Sequence, residues 1–158
     1  MRIEEALVPI DFSQHSLRAL EFALSTISPE GEICLLHVLE AEFLERVVAE
    51  GLGEREAVLA MLRGRAEERL GEVVAAIPDP KPTISSMVVV GSPFQEILRV
   101  ASDLDYPMIV LGKGRDLEEM LFGATAEKVI RAARIPVVAV PAGWTAASRA
   151  NREEGGAQ

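Results

Sequence analysis

A glycine-containing loop in the last third of the chain has the composition of an anion-binding site. Gly112 and Gly114 follow a short apolar run, residues 108–111, and Gly123 precedes a segment with helical periodicity. An apolar run bounded by turn residues is typical of a buried strand, so this segment predicts a strand, a loop and a helix. Free N–H groups and the helix dipole converge where such a loop meets the helix, and together they can hold an anion such as phosphate.

The charged side chains of this loop act in opposite directions. Lys113 and Arg115 add positive charge, whereas Asp116, Glu118 and Glu119 add negative charge that repels phosphate unless it points outward or meets a metal ion. These electrostatic effects are of similar size. The loop residues alone therefore leave open whether a phosphate binds there.

Asp11 is the second candidate, because it follows the apolar run 6–10 that predicts the first strand. A residue in this position lies at the carboxyl edge of a parallel sheet, where ligands bind. Aspartate also forms turns by hydrogen bonding to its own backbone. Position alone does not separate these two roles. Pro9 lacks an N–H, so we expect it at the end of the strand, where no donor is needed.

The other residues that carry chemistry favour structural roles. Cys34 is expected to be a small core residue, His37 a hydrogen-bonded histidine in an apolar strand, and His15 a surface turn residue. Ser13 and Ser16 lack a plausible base and orienting group, so capping of the first helix is favoured. We therefore predict no catalytic residue and no metal site.

Composition indicates a single globular domain of the cytoplasm. The chain has 158 residues, of which 49% are hydrophobic, enough for one self-sufficient core. Its net charge of −9 opposes binding to nucleic acid or to anionic membranes. No apolar stretch predicts a membrane span. A single cysteine and the lack of a signal-peptide pattern favour a reducing cytoplasm.

Hydrophobic periodicity predicts alternating strands and helices. The five predicted strands are residues 6–10, 33–39, 87–90, 108–111 and 137–140. Gly51 and Gly53 divide the long second helical region, and Ser92, Pro93 and Gln95 have the spacing of a capping box. This order predicts an α/β fold, an open doubly wound parallel sheet with helices on both faces. Residues 1–141 form the domain, and residues 142–158 are predicted to be a largely disordered tail.

Several short segments, taken in order, resemble the universal stress protein family. They are residues 7–13 (LVPIDFS), 35–38 (LLHV), 90–93 (VGSP), 109–112 (IVLG), 123–129 (GATAEKV) and 135–141 (IPVVAVP). None of them is specific alone, but their order and spacing together are. The resemblance extends over nearly the whole predicted domain.

This resemblance implies a strand order of 3-2-1-4-5, an adenine nucleotide alpha hydrolase-like fold, with Asp11 facing Gly112 across a crevice. It implies that the crevice holds ATP or another adenine nucleotide, with or without Mg. It also implies a homodimer in which the last strand, from Val137 to Val140, pairs antiparallel with its copy, which would cover an apolar edge. Nucleotide contacts are implied at ten positions: Pro9, Ile10, Asp11, Val38, Leu111, Gly112, Gly114, Gly123, Ala124 and Thr125.

The glycine loop departs from the family's ATP-binding pattern, which is glycine-x-x-glycine, nine residues, then glycine and serine or threonine. In this chain the loop from Gly112 to Gly123 is two residues shorter, and Ala124 replaces the hydroxyl residue. Alanine can neither cap the helix nor contact a phosphate through a hydroxyl. The lost cap costs on the order of 1 kcal/mol. Thr125 is the alternative cap, one residue later.

Two function classes stay open at this point. The first is a cytoplasmic adenine-nucleotide-binding regulatory or stress-response module, with which slow ATP hydrolysis or autophosphorylation is compatible. The second is a nucleotide-free member of the same family that acts through an unidentified protein partner, favoured by the short loop and Ala124. An enzyme is disfavoured, because the chain lacks both the glycine-rich loop of ATP pyrophosphatases after strand 1 and the aspartate of receiver domains after strand 3.

Overall fold

The computed structural model describes residues 2–113, 124–147 and 155–156. Their strands are β1 (Glu5–Pro9), β2 (Glu32–Glu40), β3 (Thr83–Gly91), β4 (Ile109–Lys113) and β5 (Val137–Pro141). They form one sheet in the order β3-β2-β1-β4-β5, and every neighbouring pair is parallel. The predicted fold class and strand order are confirmed.

The described helices are α1 (Gln14–Thr26), α2 (Ala41–Ala49), α3 (Arg55–Ala75), α4 (Pro93–Asp103) and α5 (Ala124–Ala132). None of these helices is both long and apolar enough to cross a membrane. Helices α1 and α3 pack on one face of the sheet through Leu20 and Leu70, and α4 and α5 pack on the other through Val100 and Val129. The helices change from one face of the sheet to the other between β1 and β4. The switch point therefore lies at the carboxyl ends of these two strands.

The central strands are apolar on both faces because helices cover both. In β1, Ala6 and Val8 belong to the core beneath α1 and α3, while Leu7 belongs to the core beneath α4 and α5. Successive side chains of a strand point to opposite faces. A continuous apolar run is therefore the pattern that a buried parallel strand requires.

Helices α1 and α4 begin in different ways. Ser13 caps α1, since its Oγ accepts a hydrogen bond from the Ser16 N–H (3.3 Å), as predicted. Ser92 occupies the cap position of α4, but its side chain makes no capping hydrogen bond, so the capping box is wrong in that respect. Pro93, whose φ is already helical, is left to define the start of α4.

The bounds of the strands differ from the prediction by up to a few residues, most of all in β3, which begins at Thr83 rather than at residue 87. Strand β4 continues through Gly112, which pairs with Val140, so the first glycine of the loop belongs to the sheet. Helix α5 ends at Ala132, with Arg131 in its last turn. Arg134 lies beyond the helix, so Arg131 is the cation that complements the dipole of the last turn.

The start of the C-terminal tail contacts α1. The ring of Trp144 packs edge-on against Phe22, with ring centroids 5.2 Å apart. The Ala146 N–H donates a hydrogen bond to Glu21 Oε1 (3.2 Å). Phe22 therefore offers an apolar surface to the indole.

Candidate functional site

A cleft of about 540 Å³ opens at the switch point. The ends of β1, β2 and β4 and the first turns of α1, α4 and α5 form its walls. Seven of the ten positions implied by the resemblance line it: Pro9, Ile10, Asp11, Val38, Leu111, Gly112 and Thr125. Ala124, the first residue of α5, does not line it, while Gly114, Gly123 and the charged residues between them lie outside the described residues.

Part of the cleft wall comes from α4, which sequence reasoning did not include. Pro93 and Ile97 line the cleft from the first two turns of that helix. The sequence did indicate that a helix starts after β3, and all such helices begin at the carboxyl edge of a parallel sheet. It contained no signal that the first turns of α4 line one cleft together with the ends of β1 and β4.

Asp11 is held in a tight turn before α1. Its Oδ1 accepts a hydrogen bond from the Ser13 N–H (2.9 Å), and its own N–H donates to Ser16 Oγ (3.3 Å). Ser16 Oγ in turn donates to the Ser13 carbonyl (3.0 Å). The carboxylate therefore stabilises a local turn, and the same residue also lines the cleft.

The pKa of the Asp11 carboxyl group lies below its ordinary value of 3.8. Burial raises this pKa, but hydrogen bonding by Ser13 and Ser16 lowers it by more. Hydrogen bonds to a carboxylate favour its charged form. Asp11 therefore places a negative charge at the cleft at neutral pH.

Gly112 lies where β4 meets the first turn of α1. A Cβ atom at this position would overlap the carbonyl oxygen of His15, so the close approach of strand and helix requires glycine. Packing explains this glycine whether or not a phosphate binds. His15 is half-buried in α1 and lines the cleft. Its prediction as a surface turn residue is wrong, because α1 already begins at Gln14.

Helix α5 begins at Ala124, so Thr125 is its second residue. The alternative in which Thr125 caps the helix and shifts its start is wrong. Thr125 instead lines the cleft. The first N–H groups of a helix have no partner within the helix, and the dipole favours an anion beside them.

Phe12 adopts an unusual backbone conformation, with φ of 66°, which few residues other than glycine adopt. Its ring centroid lies 4.8 Å from that of His37, and the Arg69 guanidinium lies 4.0 Å from the same Phe12 centroid. His37 Nδ1 is 2.7 Å from the Ile10 carbonyl oxygen, which confirms a hydrogen-bonded histidine. Because a carbonyl only accepts, Nδ1 donates in this bond.

Among the described residues, no group of three or more His, Cys, Asp or Glu side chains could hold a metal ion. The hydroxyl groups of Ser13 and Ser16 are engaged in the turn and cap of α1.

The whole domain matches one known family. The sequence profile described as the universal stress protein family matches residues 3–141. The chain belongs to this family. This universal stress protein is 29% identical over 153 residues to universal stress protein MJ0577 of Methanocaldococcus jannaschii, covering 87% of this chain and 94% of the relative. It is 30% identical over 140 residues to universal stress protein G of Shigella flexneri, covering 85% and 96%.

Solved structures share the fold of this universal stress protein. The structure of MJ0577 has a TM-score of 0.76 at 25% identity and covers 89% of this chain and 97% of that one. A universal stress protein from Archaeoglobus fulgidus, solved in complex with dAMP, has a TM-score of 0.58 at 23% identity, with coverage of 89% and 99%. At that identity the likeness shows the fold alone.

We expect Gly112→Ala to destabilise the protein, because the added methyl group overlaps the His15 carbonyl. Overpacking of this kind costs about 1–3 kcal/mol of unfolding free energy. The matched control is Gly64→Ala on α3, where nothing lies within 4 Å of an added Cβ and stability should rise by up to about 1 kcal/mol. Urea denaturation measures both variants. Equal stabilities would contradict the packing role of Gly112.

Asp11 should stabilise the fold in a pH-dependent way. Its pKa in the folded protein lies below the ordinary value of 3.8, so its contribution is complete above that value and is lost as pH falls through the folded pKa. Near pH 7, Asp11→Ala should cost about 1 kcal/mol, as loss of a helix-start acceptor does. Urea denaturation from about pH 7 to about pH 3 should show this deficit shrinking. Asp11→Asn, which keeps an acceptor oxygen, should retain most of the stability; an equal loss in both variants would refute the turn role.

Proposed function

We propose that this universal stress protein is a cytoplasmic regulatory module that binds an adenine nucleotide, ATP, ADP or AMP, and acts as a homodimer in a stress response. The observation that carries the proposal is the switch-point cleft. Its volume of about 540 Å³ is that of a small-molecule site, and Asp11 and Thr125 add polar groups to largely apolar walls. The Archaeoglobus fulgidus structure with dAMP supports the view that this fold accommodates such a ligand.

The end of β2 supports an adenine contact. The Ile10 N–H donates to the Leu36 carbonyl (2.8 Å), and alternate residues of a parallel strand face the same neighbour, so the backbone of Val38 also faces the β1 side. The next hydrogen bond between β1 and β2 would run from the Val38 N–H to the Ile10 carbonyl. His37 Nδ1 donates to that carbonyl instead (2.7 Å). Val38 then presents an N–H and a C=O towards the cleft, a donor and an acceptor that suit the edge of an adenine ring.

The first turn of α5 supports a phosphate contact at the opposite wall. Its N–H groups and the helix dipole favour an anion. Thr125 lines the cleft, and its side chain carries a hydroxyl donor that Ala124 lacks. We propose that these groups, rather than a hydroxyl at position 124, bind the phosphate nearest the ribose.

The alternative is a nucleotide-free module that acts through an unidentified protein. Two observations favour it. Gly112 is required by its contact with His15, so its presence does not by itself indicate phosphate binding. The Asp11 carboxylate lines the same cleft and repels an anion placed beside it. In neither version do we propose rapid catalysis, although slow ATP hydrolysis is compatible with the first.

Nucleotide binding should raise the melting temperature of stripped protein titrated with Mg-ATP, ADP or AMP. Ligand at about 100 times its dissociation constant adds roughly 2.7 kcal/mol, or roughly 5–10 °C for a domain of this size. Thr125→Tyr, which fills the cleft, should abolish the shift. Ile130→Tyr, on the exposed face of the same helix (49% exposed), should leave it unchanged. No wild-type shift at about millimolar nucleotide would overturn the nucleotide proposal in favour of the nucleotide-free module.

The two edges of the sheet support dimerisation through β5. On the β3 edge, Arg63 donates a hydrogen bond to the Val88 carbonyl (2.8 Å), which partly blocks strand addition there. At the opposite edge, the Ile109 N–H donates a hydrogen bond to the Pro136 carbonyl (3.0 Å). This bond shows which backbone groups of β5 face β4. By strand alternation the N–H of Ala139 faces outward. It is available to an antiparallel copy of the same strand.

We expect Ala139→Pro to convert the homodimer to a monomer, because proline removes this outward N–H and leaves the hydrogen bonds to β4 in place. Ala139→Val keeps the N–H and should stay dimeric. Sedimentation velocity distinguishes the two states, and circular dichroism checks that each variant is folded. A monomeric wild-type protein would refute the homodimer, and a dimeric proline variant would refute the β5 interface.

A further inference from the structure

A second cavity lies beside the switch-point cleft, between the end of β2 and helices α2 and α3. Its volume is about 650 Å³, within the range of small-molecule sites. It shares Asp11, Val38 and Glu40 with the switch-point cleft. The remaining walls differ, since this cavity is lined by α2 and α3 and the cleft by α1, α4 and α5.

One wall of the second cavity is cationic. Arg65 and Arg69 lie one turn apart on α3 and both line it. Like charges at this spacing repel each other, and the acidic residues three positions later, Glu68 and Glu72, form no ion pair with them within the described part of the chain. Since neither arginine is ion-paired among the described residues, their guanidinium donors are available to an anion in the cavity. Glu40 is the one carboxylate besides Asp11 among the described lining residues.

The facing wall is aromatic. Phe12, His37 and Phe43 line the cavity, and Phe43 remains 44% exposed. Phe12 is held in the left-handed region, at φ of 66°, a conformation that costs free energy and often accompanies function. This conformation places its ring against His37 and 4.0 Å from the Arg69 guanidinium. The ring thereby positions a cation at the cavity wall.

We propose that this cavity binds small aromatic carboxylic acids, independently of any nucleotide. The planar ring of the ligand lies against Phe12, Phe43 and the aliphatic side chain of Leu62. The carboxylate accepts hydrogen bonds from Arg65 and Arg69, whose guanidinium groups suit a carboxylate in bidentate geometry. Because Asp11 lines both cavities, this ligand lies next to the switch-point cleft and leaves that cleft unoccupied.

The test is calorimetric titration of the full-length protein with indole-3-acetate, and with its uncharged analogue indole-3-acetamide. We expect saturable binding of the acid and at least tenfold weaker binding of the amide, because the amide lacks the charge that the arginines recognise. The double variant Arg65→Gln/Arg69→Gln should weaken acid binding at least tenfold. Arg55→Gln, which removes one positive charge at the exposed start of the same helix, should leave it unchanged.

A second variant keeps the test decisive if the double variant does not fold. Phe12→Asn removes the ring but tolerates the left-handed backbone, and it should also weaken acid binding. Titration in the presence of saturating AMP separates the two sites, since the affinity for the acid should not change. No saturable binding up to about 10 mM, equal affinity for acid and amide, or displacement by AMP would each overturn the proposal. Failure of AMP to bind affects only the nucleotide proposal, because the acid titration stands without it.

Discussion

The contact between Gly112 on β4 and the His15 carbonyl in the first turn of α1 determines the geometry at the centre of this sheet. At this contact α1 crosses the end of β4 in addition to packing over β1, the strand that precedes it. A helix therefore closes one face of the sheet at the switch point. On the opposite face, the first turns of α4 and α5 contribute Ile97 and Thr125 to the cleft lining. These two helices contact each other, with the Lys128 ammonium 5.0 Å from the centroid of the Phe94 ring.

The turn formed by Asp11 and Phe12 separates two cavities of different character. The Asp11 carboxylate accepts a hydrogen bond from the Ser13 N–H and the residue lines both cavities, whereas the left-handed Phe12 turns its ring towards His37 and Arg69. Both side chains depend on the same few backbone angles. A substitution in this turn would therefore affect the lining of both cavities at once.

His37 contributes to the site without entering the predicted set of contacts. Its bond to the Ile10 carbonyl ends the pairing of β1 with β2 and directs the backbone of Val38 to the cleft. A histidine in an apolar strand is costly to bury without a partner. The partner here is the Ile10 carbonyl, which would otherwise accept a hydrogen bond from β2. One hydrogen bond therefore gives the imidazole a partner and ends the pairing of the two strands.

The sequence by itself determined the elements and their order, because each depends on local chemistry. The apolar runs of β1 and β4 require burial on both faces, Ser13 caps the helix that follows it, and Pro9 ends a strand. In a doubly wound sheet this order also places Asp11 and Gly112 at one edge. Only the tertiary structure decided that Ile97 and His15 line the cleft, that Phe12 is left-handed, and that Arg65 and Arg69 face a second cavity. Those features depend on how helices lean across strands distant in the chain, and such packing leaves no periodic signal in the residues themselves.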